Sequence, residues 1–106
     1  MKKLSFISVL AATLLLVGIS TAQAAGDAAA GESLYSSMGC MGCHGAAGNS
    51  AMPDMFPKLA GLDEAYIDEQ LKAYKSGERQ NATMQPMASG LSDADIANLA
   101  AYLSAQ

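Results

Sequence analysis

The sequence predicts an all-α domain, and three observations carry that prediction. Apolar residues recur at helical spacing in three separate segments, each segment opens on a capping side chain, and no stretch alternates apolar with polar as a strand would. The first helix is predicted from about Asp27, its N-cap, to Met38, with Leu34 and Tyr35 on its inner side and Gly39 as its stop. The second starts after Gly61 with Asp63 as cap, carries Ala65, Tyr66, Ile67, Leu71 and Tyr74 inward, and stops at Gly77. The third opens on Ser92. Asp95, three residues on, makes a short-acid variant of the capping box, and the apolar face is Ile96, Leu99, Ala100 and Leu103, joined by Tyr102.

Between these helices lie two turn-rich segments. Gly45 to Gly61 holds Gly48, Asn49, Pro53 and Pro57, and Gly77 to Gly90 holds Asn81, Pro86 and Ser89, so both are read as loops. Long loops in so short a chain need a reason, and a large ligand that they wrap is one.

The 106 residues hold a single domain, and the first stretch is not part of it. Met1-Lys2-Lys3 gives a positive start, Leu4 to Ile19 is mainly apolar, and Ala22-Gln23-Ala24 ends the stretch with an Ala-x-Ala pattern. That is the layout of a secretory signal peptide, residues 1–24, cleaved after Ala24. The alternative is an uncleaved anchor, but the run is short for a span, which takes ~20 residues. No cysteine follows the site, which argues against a lipid anchor. The expected mature domain, residues 25–106, keeps four basic residues against ten acidic ones, a formal charge of −6. Such a surface does not favour nucleic acid or an anionic membrane; partners with basic patches or small apolar faces suit it better. A domain of this size buries a limited core, and its two cysteines are too close in sequence to staple much, so a cofactor is expected to fill the middle.

The chemistry sits in Cys40-Met41-Gly42-Cys43-His44. Cys-x-x-Cys-His is the attachment signature for covalent haem, haem c. The two thiols add to the two vinyl groups as thioethers, the two intervening residues let both sulfurs reach one porphyrin edge, and Gly42 is expected to keep that turn uncrowded. His44 is then held beneath the iron as the proximal axial ligand through Nε2. A thioredoxin-like pair is disfavoured because no strands are evident. A zinc site is disfavoured because His44 is the only histidine and there is no second cysteine pair. With no other histidine and no further cysteine, methionine is the natural candidate for a second iron ligand. Met38 and Met41 lie too near the attachment site, Met52 and Met55 suit haem-edge packing, and Met84 or Met87 can return over the opposite face.

Together with Gly48-Asn49-Ser50, Phe56-Pro57-Lys58-Leu59-Ala60-Gly61, Tyr66, Gln70-Leu71, Met84-Gln85-Pro86-Met87 and the stretch from Leu91 to Tyr102, the motif resembles class I c-type cytochromes. The likeness is to the small bacterial group that includes cytochrome c-553 and the domains of the dihaem cytochrome c-four, and it covers nearly all of the mature chain. It implies the class I cytochrome c fold, three to five short helices around one haem with crossed N- and C-terminal helices. Gly31 with Tyr35, and Leu99 with Tyr102, look like that crossing. It implies Met84 as the distal iron ligand, with Met87 packing nearby. It also implies a proline carbonyl that accepts a hydrogen bond from Nδ1 of the proximal histidine, for which Pro53 is the candidate. Tyr66 and Tyr74 are expected in core packing, with lining of the haem pocket as the alternative.

The function implied is periplasmic one-electron transfer, non-enzymatic, between respiratory-chain complexes such as a quinol-oxidising complex or dehydrogenase and a terminal oxidase or reductase. Leu59, Ile67, Leu71 and Leu99 are expected to wrap the haem, and the segment of Ala46, Ala47, Met52 and Met55 to form an apolar docking patch. Asp63, Glu64, Asp68 and Glu69 are expected as a solvated helix face. The alternatives are a haem-bearing subunit of a larger reductase and a haem protein reactive toward small ligands or peroxide.

Overall fold

The computed structural model describes residues 26–106, so the expected signal segment lies outside it. Five α-helices follow in order, α1 (Ala28–Ser37), α2 (Met41–His44), α3 (Glu64–Ser76), α4 (Met84–Ser89) and α5 (Asp93–Ser104), with a 3-10 turn at Ala46–Gly48. Among the described residues there is no strand, and no helix is long and apolar enough to cross a membrane. The all-α expectation holds.

The three long helices begin where their caps place them. Asp27 Oδ1 accepts from the Ala29 and Ala30 amides at 2.9 and 3.3 Å, and Asp63 accepts from the Tyr66 amide at 3.1 Å. At α5 the Ser92 hydroxyl accepts from the Asp95 amide at 3.0 Å while the Asp95 carboxylate accepts from the Ser92 amide at 2.9 Å. Reciprocal pairing of this kind satisfies amides that the helix itself leaves open. Gly77 ends α3 in the left-handed region at φ +83°.

Helix α4 falls where a loop was expected. Pro86 read as a breaker, yet it sits in the first turn, where a missing N–H costs nothing. Asn81 supplies the cap from outside the helix: its side-chain oxygen accepts from the Thr83 and Met84 amides, both at 2.9 Å.

Helix α5 is the centre of the packing. Ile96, Leu99, Ala100 and Leu103 are buried against Tyr35 of α1, Ile67 of α3 and Leu91. At the α1–α5 crossing a Cβ on Gly31 would lie 2.0 Å from the Asn98 carbonyl oxygen and 2.9 Å from Tyr102 Cβ, so only glycine permits this approach. The Tyr35 and Tyr102 rings fill the space beside it, centroids 5.7 Å apart and tilted by 58°. The Asp27 amide donates to Asn98 Oδ1 at 2.8 Å and fastens the start of α1 to the same place. Tyr35 is 1% exposed; its hydroxyl donates to the Gly45 carbonyl at 2.6 Å and accepts from the Gly48 amide at 3.1 Å.

Two outcomes follow. Gly31→Ala is expected to cost about 3 kcal/mol in denaturant unfolding, at the upper end of overpacking penalties. Gly42→Ala is expected to be neutral or stabilising by up to ~1 kcal/mol, because nothing lies within 4 Å of a Cβ there. Equal effects would show that the crossing is loose. Burial pushes the Tyr35 hydroxyl above its usual 10.0, a rise that the Gly48 amide only partly offsets. The folded state therefore favours the neutral phenol. Its contribution is intact below pH 10 and is lost as pH rises through the raised value, so Tyr35→Phe should flatten the alkaline fall in unfolding midpoint.

Candidate functional site

Between α2, α3, α4 and α5 lies a cavity of about 410 Å³, within the ~300–1,000 Å³ usual for bound cofactors. Helix α2 presents the motif to it. The His44 amide donates to the Cys40 carbonyl at 2.9 Å and the Cys43 amide to the same oxygen at 3.3 Å. That single helical turn brings positions 40, 43 and 44 to one side. Cys40, Cys43 and His44 line the cavity, whereas Met41 points away and is 47% exposed. Cys40 is half-buried and Cys43 exposed; burial raises the Cys40 thiol above its usual value. The turn at Gly42 is uncrowded, with no protein atom within 4 Å of where a Cβ would stand.

His44 is 8% exposed, and its Nδ1 lies 2.8 Å from the Pro57 carbonyl oxygen. A carbonyl only accepts, so Nδ1 carries the proton and Nε2 keeps a lone pair available as a ligand. The partner is Pro57, which corrects the expectation of Pro53. The Met55 and Phe56 amides both turn back to the Met52 carbonyl, at 3.0 and 2.8 Å. This tight turn leaves Pro53 at the exposed tip, and the chain returns to His44 only at Pro57.

Met84 and Met87, one turn apart on α4, both reach the cavity, as do Met38 and Met55. Met52 does not. Leu59, Ile67, Leu71 and Leu99 line it as expected. Tyr66 departs from its expected core role: it is 47% exposed and lines the cavity, as Tyr74 also does. In the expected docking segment Met52 and Met55 are 54% and 68% exposed.

The polar rim was not found by motif. Arg79, the chain's one arginine, borders the cavity together with Gln70 and Asn81. Its Nη1 donates to Gln70 Oε1 at 2.7 Å, and its guanidinium lies 4.7 Å from the Tyr74 ring centroid. The only available signal was a lone arginine just past a helix end. Two thiols and an imidazole on one wall, thioethers on another helix, apolar sides and a cationic rim fit a haem with its carboxylates at the rim.

Known proteins agree. The family model for Cytochrome c matches residues 28–106. Cytochrome c-554(548) of Halomonas halodenitrificans is 47% identical over 85 residues, covering 77% of this chain and 99% of that protein. Cytochrome c4 of Pseudomonas aeruginosa is 47% identical over 94 residues, 89% of this chain but 44% of its own length; the chain thus spans under half of that relative. A protein of Stutzerimonas stutzeri named thiosulfate dehydrogenase electron acceptor is 40% identical over 86 residues, covering 74% of this chain and 40% of that protein. The solved cytochrome c4 of Acidithiobacillus ferrooxidans superposes with a TM-score of 0.68 at 35% identity, over 74% of this chain and 49% of that one. With the motif, the helical fold and the cavity in agreement, the chain belongs to the cytochrome c family of electron carriers with covalently bound haem.

Proposed function

We propose that this chain is an exported, non-enzymatic one-electron carrier with a single haem c and His44/Met84 axial ligation. The observation that carries the reading is the convergence of Cys40, Cys43 and His44 with the α4 methionines on one apolar cavity. Cys40 and Cys43 would hold the haem as thioethers, each thiol adding its sulfur and its hydrogen across one vinyl double bond, so that attachment would release nothing. His44 offers Nε2 to the iron, and its bond to the Pro57 carbonyl fixes the ring and raises its basicity. The Met84 thioether would be the second ligand to the iron, and a thioether there would favour the ferrous state. Asn81 supports this choice by holding the Met84 amide at 2.9 Å. Bound haem supplies an iron that gains and loses one electron at a time. Ligation by both His44 and Met84 would leave no place at the iron for a substrate, which is why a carrier is preferred to a peroxide-reactive site.

Arg79, Gln70 and Asn81 would hold the haem carboxylates. The exposed apolar surface of Met52 and Met55, with Asp54 the one charge between them, would serve brief docking of the kind that buries under ~1,200 Å². Electrons would arrive from a dehydrogenase or a quinol-oxidising complex and leave to a terminal oxidase or reductase. The relative named as an acceptor for thiosulfate dehydrogenase supports a dehydrogenase as donor. Residues 1–24 would direct export to the periplasm, leaving a domain of residues 25–106.

Ferric protein is expected to show the weak near-infrared band of methionine–iron ligation. Met84→Ala should abolish it, and Met87→Ala should keep it; the reverse pattern would assign the ligand to Met87. Fast carbon monoxide binding by native ferrous protein would favour the small-ligand reading, and stable co-purification with a larger complex the subunit reading. Intact mass of protein from the periplasmic fraction should correspond to a chain starting at Ala25 with one haem. An uncleaved start at Met1 would refute export by this route.

A further inference from the structure

We propose that the Tyr35 hydroxyl is a positioning group for the haem-binding imidazole, acting through the turn that follows His44. The inference rests on the reading of His44 as an iron ligand. The turn Gly45–Gly48 is an improbable piece of backbone. Gly45, Ala47 and Gly48 lie at φ +79°, +53° and +77°, and a non-glycine residue in the left-handed region persists only where its surroundings hold it. The Tyr35 hydroxyl does so from both ends, donating to the Gly45 carbonyl at 2.6 Å and accepting from the Gly48 amide at 3.1 Å.

The restraint continues from there. The Gly48 carbonyl accepts from the Leu59 and Ala60 amides at 2.9 and 3.1 Å. The approach is so close that a Cβ on Gly48 would lie 2.8 Å from the Ala60 nitrogen. Two residues before Leu59 is Pro57, whose carbonyl oxygen takes the His44 Nδ1 proton at 2.8 Å. Tyr35 therefore holds both sides of the His44–Pro57 hydrogen bond: the chain leaving His44, and the strand of loop that brings Pro57 to it. The ring has a separate task, packing against Tyr102. A phenylalanine would keep the ring and lose the restraint.

Weakening the His44–Pro57 bond makes the imidazole a poorer donor to ferric iron, so the potential rises. Tyr35→Phe holoprotein is expected to shift the ferrous/ferric equilibrium toward ferrous by about threefold, within the worth of one hydrogen bond. Exchange of the His44 Nδ1 proton, followed by NMR in the ferrous state, should accelerate at least about tenfold. Ile96→Val, a core change of comparable stability cost that leaves the Tyr35 hydroxyl in place, should alter neither. Unchanged potential and unchanged exchange in Tyr35→Phe overturn the proposal, as does an equal shift in Ile96→Val. If Tyr35→Phe does not accumulate, wild-type exchange decides: the Gly48, Leu59, Ala60 and His44 Nδ1 protons should open together, and separate opening of the histidine refutes the coupling. A wild-type ligation spectrum in His44→Ala would sink the ligand reading itself, independently of Tyr35.

Discussion

Because Gly31 lets the backbone of α1 come against that of α5, the rest of the molecule has only one place to stand. The approach puts Tyr35 inside the core, and from there its hydroxyl reaches the turn after the cysteine motif. It also turns the apolar face of α5 so that Leu99 and Leu103 serve at once as core and as cavity wall. A side chain at position 31 would part the helices, and the loss would fall on the site as much as on stability. Packing at the crossing and the geometry around His44 are in this sense one constraint.

Parts of this were legible because the signals are local. Asp27, Asp63 and the Ser92–Asp95 pair act within a turn of the helix they start, so the three long helices could be placed from neighbouring residues alone. Cys40, Cys43 and His44 were legible for the same reason: their chemistry is written in five consecutive positions. Helix α4 escaped because its cap, Asn81, stands outside it and because Pro86 signals a break in mid-helix but a start in the first turn. Pro53 and Pro57 differ by four positions in a loop, and only the turn at Met52 decides which carbonyl faces the histidine. Arg79 and Tyr66 join the cavity through tertiary placement, which no spacing announces.

The acidic chain keeps most of its charge away from its exposed methionines. Asp68 is engaged with Lys72 one turn along α3 at 2.7 Å, while the exposed methionines occupy an uncharged stretch broken only by Asp54. Of the four cations after residue 24, Arg79 alone borders the cavity. Surface charge acts over a Debye length, about 10 Å at moderate salt, so the acidic residues set the field around the domain while the exposed methionines stay largely clear of them.

The bond between the Asp27 amide and Asn98 joins positions 71 residues apart, which has a consequence for biogenesis. Closing so long a loop carries an entropic cost that no local contact repays early, and folds dominated by distant pairings form slowly. During synthesis the first helix cannot make this contact until Asn98 has been added. The segment carrying Cys40 and Cys43 is therefore synthesised well before the helix crossing beside it can close.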